Sequence, residues 1–175
     1  MRIFTLEQEQ CLPGTPEQVF PFFADARNLE AITPPLLRFE VVTPGRIPMR
    51  VGTLIQYRLT LRGIGIDWLT SIQEWDPPHR FVDVQVCGPY GLWHHTHEFT
   101  AAPGRDGTIM RDTVRYAIGF GPLGQLAARA FVHRDVATIF QYRREAVAAA
   151  ARRRVLGGDG REAVEDQVDA GQITG

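Results

Sequence analysis

The distribution of apolar residues divides the chain into a long β-rich middle section and helical segments on either side of it. Residues 2–11 (RIFTLEQEQC) alternate between apolar and polar positions, which predicts a strand. The stretch LPGTPEQVFPFFAD then predicts a turn and a short helix, with Thr15 as N-cap, Pro16 at the first helical position and Gln18 completing a capping box. A second short helix is predicted in ARNLEAITPP, because the two prolines at its end cannot continue a helix.

Beyond Leu37 the apolar period changes to two, which is typical of half-buried strands. Gly- and Pro-containing turns such as DPPH, PYG and PGRDG separate the alternating runs. The result is six consecutive strands in an antiparallel meander. The inward positions that this pattern predicts on the second and third of these strands are Ile55, Tyr57, Leu59, Leu61, Ile66, Trp68, Thr70 and Ile72.

After GFGP the pattern becomes helical, with apolar residues three or four positions apart and one arginine in the same row. The row is Val132, Val136, Ile139, Arg143 and Val147. It predicts a single helix over roughly residues 120–155, on the order of 50 Å long at 1.5 Å per residue. We therefore expect one domain at residues 1–156, and the polar, glycine-rich residues 157–175 predict a disordered C-terminal tail.

This order of elements predicts an α+β fold of the helix-grip type. A curved antiparallel sheet of about seven strands would carry two short helices at one end and one long C-terminal helix across its concave face. A sheet of that shape does not close into a flat sandwich, so the long helix spans an enclosed volume. Side chains or a bound ligand must fill that volume.

Composition and charge exclude several classes of function. The 175 residues are 44% hydrophobic and 22% charged, as in ordinary globular proteins, and the formal net charge is -1. A chain so weakly charged lacks the basic surface of a nucleic-acid binder. All 19 basic residues are arginines, which rules out Schiff-base chemistry through lysine. Two isolated cysteines, no leader-like apolar region and no long apolar segment predict a cytoplasmic protein without stable membrane insertion.

The stretch GLWHHTHEF holds the most concentrated chemistry in the chain. On a strand, Trp93, His95, His97 and Phe99 share one face, and His94 points to the other. The flanking aromatics indicate that His95 and His97 point inward. Three interpretations remain open: a metal site, hydrogen-bonding groups in a ligand cavity, or ordinary buried histidines with satisfied hydrogen bonds. We favour the cavity.

A metal site would need a third ligand beside the two histidines. Asp112, carried inward with the apolar face of RDTVRY, is the best candidate, with Asp83 behind it. Two imidazoles and at most one carboxylate among aromatics leave a poorly completed coordination shell, so we expect neither a metal nor another cofactor. Asp83 lies on a strand, RFVDVQVCG, whose inward face stays undecided. Its valines, Val82, Val84 and Val86, favour the face opposite to Asp83, and the resemblance given below favours the face of Asp83. Nucleophile and phosphate-loop motifs are absent.

Residues 1 to 155 resemble the START/Bet v 1-like superfamily, also called SRPBCC, which includes polyketide cyclases, lipid-transfer proteins and coenzyme Q-binding proteins. The stretches QEWDPPHRFVDVQVCGPYGLWHHTHEF, RDTVRYAIGFGPLG and IFQYR are similar to a bacterial ligand-binding subgroup, sometimes labelled "cell division inhibitors". The resemblance favours an inward Phe81, Asp83 and Gln85. It also implies a fold that hosts both binders and enzymes, so function depends on the site.

Our first hypothesis is a non-enzymatic binder of a hydrophobic small molecule such as a lipid, isoprenoid or polyketide-like compound, held between the sheet and the long helix. A second is an aromatase/cyclase-like enzyme that uses His95 or His97, tuned by Asp112, as general acid or base. A third is a protein-partner module. The residues predicted to contact the ligand are Tyr57, Trp68, Trp93, His95, His97, Asp112, Tyr116 and Phe140.

Overall fold

The computed structural model describes residues 2–61, 63–104, 106–118 and 133–158. It consists of seven strands, two short helices, a single 3-10 turn and one long helix. In chain order these are β1 (Ile3–Leu12), α1 (Pro16–Phe23), α2 (Asn28–Ala31), the 3-10 turn (Pro35–Leu37), β2 (Glu40–Val41), β3 (Leu54–Leu61), β4 (Ile64–Asp76), β5 (Arg80–Cys87), β6 (Leu92–Ala101), β7 (Thr108–Ala117) and α3 (His133–Gly158).

All seven strands form one antiparallel sheet in the order β1-β7-β6-β5-β4-β3-β2. Consecutive strands β2 to β7 are neighbours, and β1 pairs with β7 at the far edge. Two register shifts interrupt the pairing of β4 with β5, between Leu69 and Thr70 and between Ile72 and Glu74. Bulges of this kind bend a strand and increase its twist, which produces the curvature of the sheet. The predicted helix-grip architecture is confirmed.

The short helix α1 begins where the sequence predicts. Gln18 accepts a hydrogen bond from the Thr15 backbone N–H at 2.9 Å through Oε1, and Pro16 occupies the first turn. The helix buries Val19 and Phe20, whereas Phe22 and Phe23 are only partly buried. Phe20 and not Phe22 is therefore the main anchor of this helix on the sheet.

The long helix α3 packs its apolar row against the concave face of the sheet. Val136 and Phe140 join a buried cluster with Val114 and Tyr116, and Val147 belongs to a second cluster under α1 that contains Phe99. The described part of α3 confirms the long helix and continues to Gly158. The predicted start of the helix near residue 120 and the predicted tail beyond Gly158 lie outside the described residues.

Candidate functional site

A cavity of about 170 Å³ lies between the sheet and α3. Its wall is largely apolar and includes a group of packed aromatic rings: Trp68 meets Trp93 edge to face, with ring centroids 5.3 Å apart, and Tyr90 packs against both indoles. Trp68 donates its indole N–H to Thr70 Oγ1 at 3.0 Å, so the polar atom of this ring is already satisfied. The surface that these rings present to the cavity is therefore apolar.

Four side chains lie together at the polar end of the cavity, and we name them the His–Asp cluster: the partly buried Asp83 on β5, and the buried His95 and His97 on β6 and Asp112 on β7. His97 Nε2 lies 3.1 Å from Asp83 Oδ2, and His95 Nε2 lies 3.3 Å from Asp112 Oδ1. Two further contacts close the cycle, from His95 Nδ1 to Asp83 Oδ2 at 3.6 Å and from His97 Nδ1 to Asp112 Oδ1 at 2.8 Å. Each histidine therefore contacts both carboxylates.

Ring packing holds the two imidazoles in place. Phe81 stacks on His97 with centroids 4.0 Å apart and planes 16° apart, and the two imidazoles lie 3.7 Å from each other. Phe140 on α3 meets His95 from the side at 5.5 Å. Although the contact of His97 Nδ1 with Asp112 is short, it is not aligned as a hydrogen bond.

The environment shifts the pKa values of the two histidines in opposite directions. Burial, followed by the neighbouring imidazole of His97, lowers the pKa of His95 to about 4. Burial also disfavours the protonated form of His97, but Asp112 and Asp83 together outweigh it and raise the pKa of His97. The cluster thus favours a neutral His95 beside a protonated His97.

The two carboxyls of the cluster are held ionised. Burial alone would raise the pKa of both. At Asp83 the hydrogen bond from His97 and the charges of His95, His97 and Arg143 lower the pKa below its usual value. At Asp112 the charge of His97, followed by the hydrogen bond with His95 and the close contact with His97, lowers the pKa.

Six of the eight residues that the sequence predicts at the ligand site line the cavity. These are Tyr57, Trp68, Trp93, His95, His97 and Phe140. The other two do not line it: Asp112 lies behind the histidines, and Tyr116 packs behind Trp93 at 6.1 Å. His94 lies on the opposite face of β6, in a charged groove that also contains Glu98 and Arg111.

Asp83 and Arg143 are among the cavity residues that are absent from the predicted ligand site. The sequence offers Asp83 only as a second candidate metal ligand on a strand of undecided facing, and the structure turns Phe81 and Asp83 inward, as the resemblance favours. Arg143 on α3 also lines the cavity, and its buried Nε has no hydrogen-bond partner among the described residues. The available signal was its place in the apolar row of the helix, where a charged side chain is out of pattern.

A metal could be held only where several donors converge. Among the described residues, Asp83, His95 and His97 offer ligand atoms that all lie within 4.8 Å of one another. Asp112, the third ligand expected from the sequence, contacts the far sides of both rings.

Comparisons with known proteins agree with this architecture. Residues 4–152 match the family described as "Polyketide cyclase / dehydrase and lipid transport". A sequence comparison with functionally curated proteins gives no match. In the part of the chain that the structure describes, no helix has both the length and the apolar character needed to cross a bilayer.

Solved structures show the same fold at low identity. The Zhui aromatase/cyclase from Streptomyces sp. R1128 is 18% identical, with a TM-score of 0.70 over 88% of this chain and 96% of that one. Ara h 8.0201 is 20% identical, with a TM-score of 0.61 over 86% and 98% of the two chains. A protein from Thermus thermophilus is 24% identical, with a TM-score of 0.57 over 83% and 98%. The chain belongs to the polyketide cyclase/dehydrase and lipid-transport family of the START/Bet v 1-like (SRPBCC) superfamily.

Proposed function

We propose that the protein binds a hydrophobic small molecule, such as a lipid, an isoprenoid or a polyketide-like compound, in the cavity between the sheet and α3. The observation that supports this is a largely apolar cavity in which His95, His97 and Asp83 converge at one end. Small-molecule sites have this composition: an apolar wall supplies affinity, and a few placed polar groups fix orientation. The polar end of the ligand would therefore contact His95 and His97.

The volume of the cavity limits the size of the part of the ligand that it can enclose. At about 170 Å³ the cavity is comparable with an engineered cavity of about 150 Å³ that holds benzene. Trp68 and Trp93 offer flat apolar faces to a ring of that size. A ligand with one ring or one isoprene-sized unit fits inside, and a longer ligand must extend beyond the enclosed part.

Native mass spectrometry of freshly purified, untagged protein tests this proposal directly. We expect a population with a co-purified hydrophobic compound that disappears after delipidation. The delipidated protein should then bind a fluorescent fatty acid, and Trp93→Ala should weaken that binding by about tenfold, since roughly 1.4 kcal/mol of contact is lost. Val86→Ala removes an apolar side chain that is exposed on the surface and serves as the control. Equal affinities for the two variants would contradict binding in the cavity.

The setting of this activity follows from the sequence. We infer that residues 1–156 act as one domain in the cytoplasm, without a nucleic-acid partner, because the net charge of -1 provides no basic surface. Cell fractionation tests the cytoplasmic location, and an electrophoretic mobility assay with double-stranded DNA tests the absence of a nucleic-acid partner. A shifted DNA band at physiological salt would contradict that absence.

A second candidate function is an aromatase/cyclase-like enzyme. Its support is the pairing of each cavity histidine with a carboxylate that orients the ring, as a general base requires. Such an enzyme should exchange the acidic C–H protons of a β-diketone with D₂O, which NMR measures. We expect exchange at least tenfold slower in His95→Gln than in His94→Gln. Wild-type exchange equal to the buffer rate would reject this candidate.

A further inference from the structure

Three side chains of the His–Asp cluster face one point at the polar end of the cavity. Asp83 Oδ2 lies 3.1 Å from His97 Nε2 and 3.6 Å from His95 Nδ1. Ligand atoms about 2.0–2.2 Å from a tetrahedral Zn²⁺ lie roughly 3.3–3.6 Å from one another. The two distances from Asp83 Oδ2 are therefore close to those in a metal-coordination shell, and the ligand atoms of the three residues all lie within 4.8 Å of one another.

The fourth member of the cluster lies where a supporting carboxylate belongs. Asp112 Oδ1 contacts the outer nitrogen of each ring, His95 Nε2 at 3.3 Å and His97 Nδ1 at 2.8 Å. Metal-bound histidines almost always donate their other N–H to such a group, which fixes the tautomer and the ring orientation. Asp112 lies beside both outer nitrogens and favours protons there, so the inner nitrogens, His95 Nδ1 and His97 Nε2, are the ones that would ligate an ion.

The arrangement relative to the cavity points the same way. Asp83, His95 and His97 line the cavity, whereas Asp112 does not. Three protein ligands with a fourth position open to a cavity is the pattern of sites that bind a further ligand on the metal. The apolar walls around this position exclude water and raise the strength of any charge interaction inside.

Charge balance gives an independent argument. Both imidazoles must be neutral to ligate a metal ion, so His97 would release its proton to solvent as the ion binds. The carboxylates of Asp83 and Asp112 then carry a charge of −2, which a divalent cation cancels. The guanidinium of Arg143 also lines the cavity, and it acts electrostatically on Asp83. With the ion in place, the carboxylates are balanced by the metal, and the positive charge of Arg143 at the cavity wall has no counterion among them. The open position of the metal therefore favours an anionic oxygen.

We propose that Asp83, His95 and His97 form a binding site for a first-row divalent metal ion such as Zn²⁺, that Asp112 supports it from behind, and that its open position takes an oxygen anion of the cavity ligand. The ligand set of two imidazoles and one carboxylate suits such ions. This departs from the sequence expectation of no metal, which placed Asp112 first and Asp83 second as a third ligand and counted at most one carboxylate at the site. Metal binding is measurable without any organic ligand, so the inference does not require the proposed function.

The first test is a titration of chelator-treated, untagged protein with ZnCl₂ against a chromophoric indicator. We expect one Zn²⁺ per chain. Asp83→Asn and His97→Gln should each weaken the affinity by at least about 100-fold, and Asp112→Asn by about 10–100-fold. His94→Gln, on the outer face of the same strand, is the matched control and should bind like the wild type. Substoichiometric binding, or an equal loss in His94→Gln and His97→Gln, would overturn the proposal.

A second measurement needs no variant. In protein with ¹⁵N-labelled histidines, Zn²⁺ should shift His95 Nδ1 and His97 Nε2, while His95 Nε2 and His97 Nδ1 remain protonated. Shifts at the outer nitrogens, or at His94, would contradict the assigned ligands. If zinc fails to bind while the fluorescent fatty acid still binds, the metal site is wrong and the ligand-binding function stands. If zinc binds and Trp93→Ala leaves fatty-acid binding unchanged, the metal site stands and binding of the ligand in the cavity is wrong.

Discussion

Asp83 lies directly opposite His95 in the pairing of β5 with β6, yet its carboxylate makes its shortest contact with His97, at 3.1 Å on the diagonal. The diagonal contact brings Phe81, the backbone partner of His97, flat against the same imidazole at 4.0 Å. One ring is thus held by an apolar face and a charged edge. The cluster is therefore a polar end, held by ring packing and ion pairs, on a largely apolar cavity.

Removing a carboxylate from the metal-free cluster should destabilise the fold strongly. Asp112→Ala leaves His97 buried without one of its two anionic partners, and breaking a buried pair in this way costs about 3–5 kcal/mol. Urea denaturation measures the loss. The control is Glu9→Ala on β1. It breaks an exposed ion pair with Arg111, the neighbour of Asp112 on β7, and should cost less than about 1 kcal/mol. Similar losses for the two variants would contradict the importance of the buried cluster.

Ligand affinity should distinguish the two faces of β6. Replacing His97 by phenylalanine removes a polar contact at the end of the cavity and should weaken a ligand with a polar head by about 1–3 kcal/mol. The same replacement at His94, which lies in the outer groove, should leave the affinity unchanged. Fluorescence titration with a labelled fatty acid measures both. A weaker affinity in His94→Phe would show that the polar end does not lie at His97.

In the metal-free protein the two inward histidines should titrate on opposite sides of pH 6.5. The pKa of His95 is lowered to about 4, and the pKa of His97 is raised. Imidazole proton shifts in an NMR pH titration report both values. Coincident titration of His95 and His97 would contradict the opposed environments.

The same shifts predict how stability depends on pH. Between pH 6.5 and about 4 the unfolded chain binds a proton at residue 95 that the folded protein does not, so the free energy of unfolding falls as pH falls. His97 acts oppositely: its stabilisation is present below pH 6.5 and is lost as pH rises through its raised pKa. Urea denaturation across this range should show a shallower acid slope in His95→Gln than in the wild type. An unchanged slope would contradict the assignment.

The cavity and the solid core should respond differently to truncation. Phe99 is 0% exposed and packs among Phe20, Phe23 and Phe81, so Phe99→Ala should cost about 3–5 kcal/mol. It does not line the cavity, and residual affinity for the fatty acid should be unchanged at temperatures where the variant is folded. Thermal and urea denaturation check the first expectation, and a binding titration checks the second.

The sequence by itself determined which side chains of β6 share a face. Strand geometry alternates side chains strictly, and the flanking aromatics at Trp93 and Phe99 mark the buried side. A second local pattern predicted the start of α1, because a capping box depends only on residues three positions apart. The element order then determined the fold, since short turns leave consecutive strands few ways to pair.

Only the tertiary structure decided the orientation of β5 and hence the position of Asp83. On that strand Val82 is 0% exposed and Phe81 is 6% exposed, although they point to opposite faces. When both faces are buried, hydrophobicity carries no information about which one borders the cavity. The roles of Asp112 and Arg143 depend on strands and a helix distant in sequence, because three strands bring the His–Asp cluster together and the docking of α3 brings Arg143 to the cavity.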